Sequence, residues 1–151
     1  MVNRSRQESY DVYIGRPMIW GNKFSHDPRS HAEVIVPTRE LAIIRHEDWL
    51  LDQPHLLERL PDLAGKRLGC WCTPKSCHGH TLRRLVIFTA TNGLIVGRCD
   101  RCRGPVGEDQ TRRLTGGDLL CPDCLAGHPP ASQYAAALVR AGVECDEGEW
   151  P

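Results

Sequence analysis

The sequence predicts an α/β domain of β–α–β–α order, with a small four-cysteine ribbon attached on its C-terminal side. Three observations carry this. Two β-rich segments, Tyr10–Gly15 and Lys66–Cys72, flank a stretch whose apolar residues recur at helical spacing. A second helical stretch follows Cys77. Beyond Asn92-Gly93 the hydrophobic periodicity gives way to glycines and two C-x-x-C pairs.

Tyr10–Gly15 alternates β-formers with small or polar residues and stops at Gly15, which reads as a first strand. From Arg16 to Pro37 the chain is irregular, with Pro17, Gly21, Asn22, Asp27 and Pro28, and a loop this long in a compact domain commonly carries function. Thr38 is placed as an N-cap with Glu40 in the first turn, and Ile43/Ile44 and Leu50/Leu51 mark one buried face of a helix running to about Asp52. Pro54 opens a shorter helix with Leu56, Leu57 and Leu60 inward, ended by Pro61. Lys66–Cys72 is the second strand, with Leu68, Cys70 and Cys72 on one face because strand side chains alternate. A turn over 73–76 leads to a helix over His80–Thr91. Two strands make a thin sheet, so a third from Gly93–Gly97, or pairing with a second copy in an oligomer, is expected.

Cys99, Cys102, Cys121 and Cys124 form two knuckles eighteen residues apart, the spacing of a four-thiolate zinc site. Four cysteines leave no open coordination position, so zinc there is structural, and the metal supplies folding energy that so few apolar residues cannot. The organisation expected is therefore residues 1–92 as the α/β domain, 93–128 as the ribbon, and 129–151 as a short Ala-rich helix, Ala131–Ala141, with an acidic tail.

Hydrophobic residues at 40% and charged residues at 25% are ordinary for a soluble globular chain. No apolar run is long enough to span a bilayer and the opening residues are polar, so a cytoplasmic protein without membrane contact is expected. Nineteen basic and nineteen acidic side chains cancel, which excludes a global field drawing the chain onto nucleic acid. Local basic pairs remain at Arg83–Arg84 and Arg112–Arg113, where the simpler reading is a solvated face. Seven of eight cysteines fall in tight clusters, which in a reducing compartment indicates metal or catalysis before disulfides; Cys145 stands alone.

The second cluster is Cys70, Cys72, Cys77, His78 and His80, packed between a strand and a helix. Three readings stand side by side. The residues hold a second zinc, with three ligands leaving a position for water. Alternatively Cys72 or Cys77 is a nucleophile, activated by the helix N-terminus and by His78. In the third they are small residues filling a strand–helix junction. Arg16, Gly21 and Asn22 reach the same edge if the loop after the first strand rises there, and an arginine beside a helix N-terminus suits a phosphate; the alternative for Arg16-Pro17 is a loop anchor.

Residues from about Tyr10 to Ala90 resemble the domain-of-unknown-function 4326 family of bacteriophages and bacteria. The matching stretches run from Val12 to Pro17, Trp20 to Asn22, Arg39-Glu40, Trp49-Leu50, Leu63, Gly65 to Cys72, Pro74, and Cys77 to Gly79. Lys23 stands where the family usually has proline, and His80 where it usually has aspartate, so no acid occupies that position. The resemblance implies a phage-type protein, working in the host cytoplasm if phage-encoded, and carries no reaction with it. Together these features lead to a zinc-binding protein that acts on or binds a nucleotide or nucleic acid through the Cys/His edge. The rival is a non-enzymatic module contacting nucleic acid or a host protein.

Overall fold

The computed structural model describes residues 2–3, 9–72, 75–110, 112–113 and 117–127. The expected helix over 131–141, the acidic tail, Cys145 and Pro74 lie outside the described residues, and so do the side chains of Arg112 and Arg113.

A three-stranded sheet, all parallel, has the order β1 (Val2–Asn3), β5 (Leu68–Cys70), β2 (Val12–Tyr13), with Val2 opposite Gly69 and Val12 opposite Leu68. The parallel pair is as expected from the β–α–β order, whereas the third strand is not. It comes from the N-terminus, while Ile95–Arg98 (β6) pairs antiparallel with Pro105–Gly107 (β7) in a separate ribbon. Polar neighbours hide the two-residue β1 from any test of periodicity. Inside the long loop, β3 (Phe24–Ser25) and β4 (Val34–Ile35) form a short parallel pair.

Helix α1 spans Arg39–Leu51, and the Thr38 hydroxyl accepts the Leu41 N–H at 3.1 Å as its N-cap. Helix α2 (Pro54–Leu57) is followed by a 3-10 turn over Leu60–Leu63. Pro61 lies in the first positions of that turn instead of ending a helix, because an opening position needs no N–H donor. Helix α3 covers His78–Asn92 and starts two residues earlier than the expected His80. Its cap is Cys77, extended at φ −147° and ψ 145°, whose sulfur accepts the Gly79 N–H at 3.4 Å.

Ile14, Leu50, Leu56, Leu60, Leu82 and Leu85 are fully buried between the sheet and the helices, each contributing roughly 1.5–3 kcal/mol. Ile95 joins this core from β6, so the ribbon is seated on the domain. Arg98 reinforces the seat, its guanidinium meeting Asp48 of α1 at 2.9 Å and the C-cap residue Asp52 at 2.8 Å. The ribbon is completed by β8 (Arg112–Arg113) paired antiparallel with β9 (Leu119–Leu120), and by α4 (Pro122–Leu125). No described helix is long and apolar enough to cross a membrane.

Candidate metal centre

Strand β5 delivers Cys70 as its last residue, fully inside the core. The chain then turns at Trp71 and Cys72, so Cys72 reaches the cluster from a turn and not from a continued strand face. The cap of α3 supplies Cys77, with its sulfur 3.4 Å from that of Cys70. All three sulfurs lie within 4.8 Å of one another. Three thiolates around one zinc, each at about 2.3 Å, stand about 3.8 Å apart in a tetrahedron, so the arrangement fits a metal with little movement.

The charge pattern agrees with that fit. Hydrogen bonds from the Cys70 and Cys77 thiols pull the Cys72 thiol far below its ordinary pKa. The same contacts hold the protons on Cys70 and Cys77, which are both pushed up, and burial adds to this. One negative charge is accommodated and three are not, a penalty that a divalent cation removes.

His78 is buried behind the cluster. Its Nε2 donates to the Ile14 carbonyl at 2.8 Å, which leaves Nδ1 as the acceptor facing the Cys77 sulfur at 3.5 Å. Burial lowers the His78 pKa, keeping the ring neutral. Among the described residues no histidine joins the three sulfurs within 4.8 Å. His80 is exposed and meets the cluster only through its N–H, donated to the Cys77 carbonyl at 3.0 Å. The metal-competent proximal set is therefore Cys70, Cys72 and Cys77.

These sulfurs lie on the wall of a cleft of 790 Å³. Arg16, Asn22 and His78 line the same cleft, so the loop after β2 rises at the same edge as the β5–α3 junction. The roles within it differ. The Asn22 side chain is consumed by the fold, its Nδ2 donating to the Ala42 carbonyl at 2.9 Å and its Oδ1 accepting the Phe24 N–H at 2.8 Å. Gly21 is packed so tightly that a Cβ would lie 2.9 Å from the Met18 carbonyl oxygen, which fixes the turn, and it is not among the residues that line the cleft. Arg16 is exposed and tethered through one nitrogen, Nη1, to the Asn22 carbonyl at 2.6 Å. Arg39, Lys75 and the half-exposed Trp71 also line the cleft, and the one carboxylate among its described lining residues, Asp27, is paired with Arg29 at 3.3 Å.

The distal set is Cys99, Cys102, Cys121 and Cys124, again within 4.8 Å of one another, with Cys102 and Cys121 sulfurs 3.7 Å apart. Each knuckle turns its backbone around the sulfurs: Arg103, at φ 62°, donates its N–H to the Cys99 carbonyl at 2.8 Å. Burial pushes Cys99 up, but the N–H groups of Cys121, Cys102 and Arg101 outweigh it and hold the thiol at about 7. Cys124 is driven by burial to about 11. The four-cysteine group is consistent with a zinc-ribbon-like module, as the spacing predicts.

The family model described as "Domain of unknown function (DUF4326)" matches residues 2–87. The chain belongs to this family. The match contains the whole proximal cluster and the cleft loop, and it ends inside α3, before the first ribbon cysteine. An uncharacterized 12.4 kDa protein from the nrdA-td intergenic region of enterobacteria phage T4 is 34% identical over 86 residues, covering 57% of this chain and 75% of the phage protein. No solved structure shows a significant match.

Within the DUF4326 region, sequence reasoning passed over His46. It is fully buried on α1, stacked on Trp49 and edge-on to His78 with ring centres 4.9 Å apart. Among the described residues neither ring nitrogen has a hydrogen-bond partner. Its signal is faint: it lies two residues after Ile44 and four before Leu50, on the buried face of α1. Arg39 was legible only as a family residue, and its place beside Cys72 depends on how α1 meets the β5–α3 turn.

Proposed function

We propose that this protein holds zinc at both cysteine sites, and that the proximal centre serves a cleft that binds a nucleotide or nucleic acid. The observation that carries the reading is the placement of three convergent sulfurs on the wall of a cleft with three cations against one already paired carboxylate. Cys70, Cys72 and Cys77 would hold the ion, and a zinc with three protein ligands supplies Lewis acidity or an activated water at its remaining position. Arg16, Arg39 and Lys75 draw the phosphate, and the N-terminus of α1, which carries Arg39, adds a favourable dipole. The distal zinc braces the ribbon as a separate unit over 93–128, appended to the domain of residues 1–92. The expected setting is the host cytoplasm.

A second reading rests on one contact. With Nε2 oriented by the Ile14 carbonyl and Nδ1 facing the Cys77 sulfur, His78 stands to Cys77 as a base stands to a thiol nucleophile. Metal content separates the two: a thiolate that holds zinc is a ligand and not a free nucleophile. Elemental analysis of the purified full chain should give two zinc equivalents, and nucleotides should raise its melting temperature. One equivalent with a rapidly alkylated cysteine favours the nucleophile. One equivalent with all three thiols inert makes the cluster part of the core. Oligonucleotide binding with a steep salt slope, and no effect of mononucleotides, favours a non-enzymatic module.

A further inference from the structure

We propose that the cleft recognises an unpaired nucleobase by stacking it on Trp71, so that the ligand is a nucleotide presented free or within a single strand, and not a duplex. This deepens the nucleotide reading above and rests on it. Trp71 lies between two cluster cysteines, and the whole of β5 before it is buried, yet its side chain is 56% exposed. Leaving an indole at the surface forgoes the burial that makes tryptophan valuable in a fold, and large exposed aromatics beside concavities commonly serve a ligand. Trp71 lines the same cleft as Arg16, Arg39 and Lys75.

The combination narrows the chemistry. Cations alone fit any phosphate, including a sugar phosphate or a phosphorylated side chain. A flat aromatic face beside them fits a ligand that couples phosphate to a π-system, which is the composition of a nucleotide. The cleft volume of 790 Å³ lies in the range of roughly 300–1,000 Å³ found for small-ligand sites, so one nucleotide fits inside it. A base inside a duplex already has both faces covered by its neighbours and has none to offer Trp71. A free nucleotide and a single strand share the chemistry that remains, and the measurement tells them apart.

Binding of inorganic phosphate, ribose 5-phosphate, AMP, a short oligothymidylate and its duplex is measured on the full zinc-loaded chain. AMP or the oligothymidylate should bind about tenfold or more tightly than ribose 5-phosphate, as expected when a base–aromatic stack is added. Binding by AMP assigns a free nucleotide, and binding by the oligothymidylate without AMP assigns a single strand. Trp71→Ala should lose most of that advantage while leaving ribose 5-phosphate affinity unchanged, and Trp71→Phe should restore most of it. Melting temperatures of both variants, measured alongside, tell loss of the stack from loss of the fold. Equal affinity of Trp71→Ala and wild type for AMP and oligothymidylate, or duplex bound as tightly as single strand, overturns the inference. Phosphate, ribose 5-phosphate and AMP bound alike sinks the role of Trp71 and leaves the anion-binding cleft standing. No binding of any probe removes the nucleotide reading and this inference together.

Discussion

The sulfurs of Cys70 and Cys77 meet at 3.4 Å, one from the last residue of β5 and the other from the cap of α3. Cys77 thus has two separable duties, as metal-competent thiol and as acceptor of the Gly79 N–H. Serine keeps the second duty and weakens the first, since it is a good N-cap and a poor zinc ligand. Cys77→Ser should therefore lose about one zinc equivalent and keep the helix, whereas Cys77→Ala should lose the zinc and a further 0.5–2 kcal/mol or so from the missing cap. Zinc content and chemical denaturation of the two variants check this. Equal zinc in Cys77→Ser and wild type would show that the proximal thiols hold none.

Much of this site was legible because local chemistry set it. The Thr38 cap, the leucines of α1 and α2, and both cysteine groups stand in the structure where spacing put them. The misses have physical causes. A thiol is outside the usual set of N-caps, so the sequence places the start of α3 at His80 and not at His78, where the helix begins. The sheet gained β1 and not β6 because pairing partners are chosen by tertiary packing, to which a two-residue strand contributes no pattern. At Asn22 the sequence leaves the amide's partner open, since a Gly-Asn turn looks the same whether its amide faces a ligand or, as its Nδ2 does here, the Ala42 carbonyl.

The distal thiols carry a different expectation. Cys99→Ser or Cys121→Ser should remove about one zinc equivalent and unfold the ribbon, because the buried core there is little more than Val106 and the cysteines themselves. The α/β domain should remain folded but weakened, since Ile95 reaches from the ribbon into its core and Arg98 pairs with Asp48 and Asp52. Two transitions in a thermal melt, with only the lower one abolished by the variants, is the signature. A wild type free of zinc after purification from metal-replete medium would refute the ribbon assignment.

His46 predicts how stability responds to acid. Burial first, and then the neighbouring His78, push its pKa well below the ordinary histidine value. The unfolded chain therefore takes up a proton at His46 at a pH where the folded chain does not. Stability from this residue is intact above about pH 6.5 and falls as pH drops below it, by up to about 1.4 kcal/mol per pH unit until the folded value is reached. His78 is shifted in the same direction, so it keeps part of the slope. His46→Leu should flatten the dependence between pH 6.5 and 5 by close to one proton in denaturation measured across that range. An unchanged slope would mean that His46 finds a proton-stabilising partner in solution.

Arg16 and Asn22 lie on one loop and touch through the Arg16 guanidinium and the Asn22 carbonyl, yet their substitutions should part cleanly. Asn22→Ala leaves the half-buried Phe24 N–H without its acceptor, costing about 1–3 kcal/mol when unsatisfied, and removes the tie from the loop to the Ala42 carbonyl, which keeps its place in the α1 ladder. Its effect should appear as a lower melting temperature, with phosphate affinity reduced only as far as the loop loosens. Arg16→Ala removes an exposed side chain whose one tether is to a backbone carbonyl, so the melting temperature should hardly move. Its loss should appear in affinity for sulfate or a nucleotide, by about 1.5–3 kcal/mol for a charge-assisted contact. Isothermal titration and thermal melts on both variants separate the two roles. If Arg16→Ala binds the anion as wild type does, the arginine is only a loop anchor and the cleft's charge resides in Arg39 and Lys75.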